Sequence, residues 1–254
     1  MRLRNGLGRL LAVMAVGLAA GGTTGQCRSE DHMNDRVEVH FQELVFGSPE
    51  DKFFVATFDS RSGTLDWERE YKVPASTVRL RPDDEPASGV VQKLAGTPYA
   101  VATQRVPNGT PKYRSFLLDS SKPAVVRELG TSNGGGAQGS RFLFASAGEL
   151  KSVDLDTGNT STLEKGVDAV AVTQARLVKF TNSGKILDRD NSGLGTFEGI
   201  VTNAGPIVGD WIWYFARKNE KSAGNLWTLN VKTGAMAKVD RKLPQCRLVL
   251  AVSR

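Results

Sequence analysis

The chain has 254 residues, 40% of them hydrophobic, with 33 Lys and Arg against 27 Asp and Glu, enough apolar content to bury one sizeable core. Its 27 glycines and 10 prolines, with little helical periodicity beyond the first 20 residues, weigh against a helical protein and favour many short strands joined by turns. The formal charge of +6 does not signal a nucleic-acid binder, because lysines and arginines are interspersed with acids, as from Asp66 to Lys72, rather than gathered on one face.

Residues 1–22 read as a secretory signal peptide. Arg2, Arg4 and Arg9 precede an apolar run from Leu10 to Ala20, and small residues follow. The run is shorter than the roughly 20 residues a membrane-spanning helix needs, so no span is expected after cleavage. Without those arginines the charge nearly balances, leaving a weakly basic mature domain, residues 27–254. Its two cysteines, Cys27 and Cys246, are expected to form a disulfide in an exported chain. A lipoprotein signal would also end on a cysteine, but Thr24, Gly25 and Gln26 lack the leucine and the adjoining small residue that lipidation requires.

From Arg36 to Phe46 apolar and polar residues alternate, as in a half-buried strand. Lys52 to Trp67 is a strand, a Ser62-Gly63 turn and another strand. Pro82 to Pro86 forms a breaker-rich loop that ends one unit. Lys112 to Leu129 reads as a hairpin bent near Ser121, and Thr131 to Gly139 as a flexible connection. Arg176 to Leu187 is a further hairpin with Ser183-Gly184 at its turn. Trp211, Trp213 and Phe215 alternate with Ile212 and Tyr214, which predicts a strand buried on both faces. Arg247 to Ser253 ends the chain as a lone strand.

One stretch is written twice. Gly148 to Leu163 and Gly224 to Val239 share a leading Gly, then Leu, an aliphatic, Asp or Asn, an aliphatic and Thr-Gly. Each copy predicts a hairpin whose turn glycine takes positive φ. Hairpin turns therefore fall near Gly63, Ser121, Gly158, Gly184 and Gly234. Repeating sheet units of about 40 residues mark a β-propeller, in which no unit buries its own faces alone. The expected fold is all-β: five four-stranded antiparallel blades, with uneven turn spacing leaving four or six open. The first blade lacks one strand and the C-terminal segment has one to spare, so pairing Leu248–Ser253 with Val37–Phe46 would close the ring and remove an edge. A disulfide at Cys27 and Cys246 would pin that closure, worth on the order of 4 to 5 kcal/mol by chain entropy.

Leu-x-x-Val-Asp-Leu-x-Thr-Gly at Leu150–Gly158 and Leu-x-x-Leu-Asn-Val-x-Thr-Gly at Leu226–Gly234 resemble the repeats of TolB-like and quinoprotein-like β-propellers. The resemblance implies a fold and not an activity, since such propellers serve as scaffolds, receptors and enzymes. No cofactor is carried over from it.

Catalytic signals are sparse. His32 and His40 are the only histidines, and they neither supply a zinc-ligand cluster nor complete a Ser-His-Asp arrangement. Asp188, Asp190, Ser192 and Glu198 match part of a calcium loop, although the glutamate arrives one position early and no helix flanks it. Asp168 and Asp210 adjoin small-residue strands that could line a central funnel, where paired carboxylates would hydrolyse a glycan.

The leading reading is an exported, monomeric, non-enzymatic propeller. It binds or scaffolds a protein or glycan partner in the cell envelope or extracellular space, with no nucleic acid involved. The alternative is a small glycan-active hydrolase using Asp168 and Asp210.

Overall fold

Alternating apolar residues and turn glycines leave this chain no way to bury its strands except against neighbouring sheets, and five such sheets form. The computed structural model describes residues 36–43, 52–59, 62, 64–71, 91–94, 97–105, 113–119, 124–219, 222, 224–239 and 246–253. Every regular element among them is a β-strand.

Blade 1 contains β1 (Arg36–Glu43), β2 (Lys52–Asp59), β3 (Thr64–Tyr71) and β20 (Cys246–Ser253) in the order β20-β1-β2-β3. Blade 2 is β4 (Val91–Lys93), β5 (Tyr99–Arg105), β6 (Tyr113–Asp119) and β7 (Ala124–Gly130). Blade 3 is β8 (Gly135–Gln138), β9 (Arg141–Ser146), β10 (Glu149–Asp154) and β11 (Thr160–Lys165). Blade 4 is β12 (Val167–Val172), β13 (Leu177–Thr181), β14 (Lys185–Leu187) and β15 (Gly193–Thr196). Blade 5 is β16 (Ile200–Val208), β17 (Trp211–Arg217), β18 (Gly224–Asn230) and β19 (Met236–Lys238).

The predicted closure is present. β20 pairs antiparallel with β1, from Glu38 opposite Ser253 to Glu43 opposite Cys246, with two register shifts. Head and tail of the propeller thus share one sheet, which gives β1 a hydrogen-bonded neighbour on each side. The expected disulfide partner of Cys246, Cys27, lies outside the described residues, as do the signal peptide, His32 and the Pro82–Pro86 loop.

The core is shared between blades. On β9, Phe142 and Phe144 pack with Leu117 and Leu129 of blade 2, whereas Leu143 and Ala145 pack with Val170 and Val172 of blade 4. Successive side chains of a strand point to opposite faces, so one strand serves two interfaces. On β17, Trp213 and Phe215 join Phe58 of blade 1, while Ile212 and Tyr214 join Phe180 and Ile186 of blade 4. Each fully buried side chain of this kind contributes about 1.5 to 3 kcal/mol, and none of it would be gained by an isolated blade.

The twin repeats are twin turns. In blade 3, Asp154 Oδ1 accepts from Thr157 N and Thr157 Oγ1, both at 2.8 Å, and Gly158 follows at φ 70. In blade 5, Asn230 Oδ1 accepts from Lys232 N and Thr233 N, both at 3.0 Å, and Gly234 follows at φ 74. The acid or amide satisfies backbone donors that the tight turn leaves unpaired, which is why Asp or Asn recurs at that place. In blade 1, Asp59 Oδ1 accepts from Ser62 N at 3.4 Å.

Blade 4 corrects the phase read from the sequence. Gly184 lies in the turn between β13 and β14, the second and third strands, whereas the other predicted turns join the third and fourth. The equivalent turn of blade 4 spans 188–192. Asp188 Oδ1 accepts from Asp190 N at 3.0 Å and Ser192 N at 2.8 Å, and Asn191, one position nearer the capping residue than the glycine of the twins, takes the left-handed φ of 64. This displacement shortened the predicted spacing before Gly184 and lengthened the spacing after it.

Candidate functional site

A cleft of about 350 Å³ opens between blades 4 and 5. Its apolar part is Ala175, Leu177, Val178, Leu194 and Val231. Its charged rim is Arg176, Asp188, Arg189, Asp190 and Lys232. Three turns supply the charged side chains with Ala175 and Val231, namely the one after β12, the capped 188–192 turn and the Asn230-capped turn before β19, while β13 supplies Leu177 and Val178 and β15 supplies Leu194.

The walls are held by hydrogen bonds between blades. Arg176 Nη1 donates to Asp210 Oδ1 at 2.7 Å and to Gly209 O at 3.4 Å, tying the turn after β12 to the turn after β16. Asp210 O accepts from Val231 N at 2.7 Å, which ties in the outer turn of blade 5. A Cβ on Gly234 would stand 2.9 Å from Leu194 O, so that glycine lets the blade 5 turn close onto β15. These contacts leave the cleft with walls fixed before any ligand arrives, at the lower end of the size range for small binding pockets.

The charges differ in how far they are committed. Asp188 uses one carboxylate oxygen on its own turn, and Arg176 is paired with Asp210. Arg189 and Lys232 are exposed, and neither has an acidic partner among the described residues.

The predicted carboxylate pair does not assemble. The Arg176–Asp210 bond places the ends of β12 and β16 on the same side of the ring, so Asp210 sits at that side. Asp168 is the second residue of β12 and lies toward the opposite side. Four strand residues separate it from the end of β12, about 13 Å at 3.3 Å per residue, beyond the 5 to 10 Å that paired glycosidase carboxylates require. Burial raises the Asp168 carboxyl above the usual aspartate range, while its backbone carbonyl accepts Asn133 Nδ2 at 2.9 Å.

Between blades 3, 4 and 5 the inner strands approach one another closely. A Cβ on Gly134 (φ +95) would stand 2.2 Å from Val170 O and 2.6 Å from Ala204 O, and one on Gly136 would stand 2.5 Å from Val172 O. Three inner backbones therefore meet at the axis there, and Val170 N donates to Asn133 O at 3.2 Å. Only glycine allows that approach.

The calcium-type residues are similarly divided. Asp188, Asp190 and Ser192 belong to the capped turn, whereas Glu198 lies beyond the strand β15, about 20 Å of extended chain from Ser192. Calcium ligands must all reach within about 2.6 Å of one ion. Among the described residues no three His, Cys, Asp or Glu side chains converge as a metal site would need. No helix among them is long and apolar enough to cross a membrane.

Sequence reasoning did not find Lys179. It is 2% exposed on β13, its Nζ donating to Glu164 Oε2 at 2.9 Å and to Asn191 Oδ1. Its place in an alternating strand was visible, but the acid that neutralises it comes from another blade.

Five four-stranded sheets in a ring, closed by the C-terminal strand, define a five-bladed β-propeller, and the TolB-like resemblance of the repeats holds at the level of fold. Neither a protein-family model nor a curated protein sequence matches the chain. Among solved structures it is similar to TolB from Acinetobacter baumannii, at 16% identity and a TM-score of 0.45, covering 83% of this chain and 54% of that one. It is also similar to a chain of the mitotic checkpoint complex, at 15% identity and a TM-score of 0.42, covering 92% of this chain and 76% of that one. An oligogalacturonate lyase in complex with manganese aligns at 14% identity and a TM-score of 0.39, covering 75% and 62%. The chain thus spans about half the length of TolB and under two thirds of the lyase. Likeness at this level assigns this chain no activity.

Proposed function

We propose that this chain is an exported, non-enzymatic propeller that binds a protein partner in the cell envelope or extracellular space, with the blade 4–5 cleft as its docking site. The observation that carries this reading is the cleft itself: an aliphatic floor inside a charged rim, built on capped turns and latched by Arg176 and Asp210. Apolar centres with polar rims are the usual anatomy of protein-binding sites, and fixed turns lower the ordering cost of association. Aliphatic lining suits a peptide better than a sugar, whose recognition draws on aromatic faces. Export is supported by the arginines and apolar run of residues 1–22.

Immobilised full chain, exposed to a native envelope extract, is expected to retain a partner that Leu194→Glu loses, with the variant's fold checked by circular dichroism. Equal recovery on wild-type protein and on a bare support would overturn the reading. So would turnover on a panel of glycans.

A further inference from the structure

We propose that Met236 is an oxidation site, at which hydrogen peroxide or another two-electron oxidant converts the thioether to a sulfoxide and the buried hydroxyl of Tyr214 donates to the new oxygen. Met236 is 38% exposed and stands on β19, the outer strand of blade 5. Cross-strand register sets it in one row with Leu229 and Ile212, on the face of that sheet turned toward blade 4. Its thioether end lies against Gly195 of β15, where a Cβ would stand 3.4 Å from Met236 Cε and 3.7 Å from Sδ. The side chain thus sits at a seam between blades and within reach of a dissolved oxidant.

Tyr214 separates this methionine from an ordinary exposed one. It is 1% exposed, packed on β17 against Phe180 and Trp227, and its hydroxyl donates to Met236 Sδ at 3.5 Å. Burial pushes its pKa up to about 12, so it remains a donor across the neutral range. A phenol is a good donor and a thioether a weak acceptor, which leaves much of the hydroxyl's hydrogen-bonding capacity unused. In the oxidation a sulfur lone pair attacks one peroxide oxygen, the O–O bond breaks, and both protons leave with the second oxygen as water. Sulfur is oxidised by two electrons and the peroxide is reduced by two. A sulfoxide ordinarily disrupts apolar packing, but here its oxygen enters beside a buried donor that lacks a strong acceptor.

The inference is independent of the docking role. Of the four methionines, Met1 and Met14 fall within residues 1–22 and Met33 lies outside the described residues, so the reacting position is read by peptide mass mapping of the full chain after peroxide treatment. Melting curves are recorded before and after treatment for wild type, Tyr214→Phe and Met236→Leu, the last reporting any contribution from the other methionines. Met236 is expected to gain one oxygen. Oxidation should then leave the wild-type melting temperature within about 1 °C and lower that of Tyr214→Phe by about 2 to 4 °C, the shift one hydrogen bond implies for a chain of this size. Met236→Gln, whose side-chain carbonyl stands in for the sulfoxide oxygen, should melt no lower than Met236→Leu.

Met236 left unmodified while free methionine in the same mixture reacts would overturn the proposal. Equal shifts in oxidised wild type and oxidised Tyr214→Phe would also overturn it, making Met236 an exposed thioether with no receiving group. So would a Met236→Gln variant that melts below Met236→Leu, a comparison that does not depend on Tyr214→Phe folding.

Discussion

Lys179 Nζ donates to Glu164 Oε2 at 2.9 Å, joining the second strand of blade 4 to the outer strand of blade 3. Lys179 is almost wholly buried, whereas the Glu164 side chain is 37% exposed. Removing the acid strands an ammonium in the protein interior, while replacing the lysine with an apolar side chain of similar length removes the need for the acid. Glu164→Ala is expected to destabilise the protein by about 2 kcal/mol, moderated by the exposure of Glu164, and Lys179→Met by under about 1 kcal/mol. Urea denaturation of both variants checks the asymmetry, and a costlier Lys179→Met would reverse the interpretation.

Gly134 and Gly139 both have positive φ, and alanine should separate their roles. At Gly134 the added Cβ meets Val170 O at 2.2 Å and Ala204 O at 2.6 Å, both backbone atoms of other blades, whereas at Gly139 it meets nothing within 4 Å. Gly139→Ala is expected to cost about 1 kcal/mol from backbone conformation alone. Gly134→Ala should cost more than about 3 kcal/mol, because three inner strands must separate to admit the methyl group. Comparable melting temperatures for the two variants would contradict the close approach at the axis.

The turn caps predict a substitution pattern and a pH dependence. Asn230→Ala leaves two backbone donors without their acceptor and is expected to cost about 1 kcal/mol. In blade 3, the Thr157 N–H and hydroxyl hold the Asp154 carboxyl below the usual aspartate range. A group whose folded pKa is depressed adds stability above its unfolded pKa and loses it as pH falls through the folded value. Wild type should therefore lose an advantage over Asp154→Asn below about pH 3.8. Melting curves of the pair between pH 7 and pH 3 read this directly.

Asp168 carries the opposite sign. Burial raises its folded pKa, so holding it ionised costs stability at neutral pH, and the cost disappears once pH falls below its unfolded value. Asp168→Asn is expected to raise the melting temperature by about 1 °C at pH 7 and to leave it unchanged near pH 3. A fall at pH 7 would reveal a favourable partner for the carboxylate.

Local chemistry was legible without coordinates. The twin hairpins were readable because Asp or Asn, Thr and Gly satisfy a turn's own donors and its positive φ, requirements met within a few residues of chain. Two-sided burial of β17 was readable because Trp213 and Ile212 must point in opposite directions on any strand. Ring closure followed from arithmetic on strands, since an incomplete first sheet and a spare last strand answer each other.

What crosses between blades was decided only by the tertiary structure. Whether Arg176 meets Asp210, whether Glu164 reaches Lys179, and that Asp168 and Asp210 occupy opposite sides of the ring all depend on how sheets far apart in sequence are rotated about a common axis. No local pattern encodes that rotation. Blade 4 shows the limit most plainly: Gly184 takes its positive φ in the turn between β13 and β14, while Asn191 takes the left-handed place in the outer turn, so a Ser-Gly pair marks a turn without saying which strands it joins.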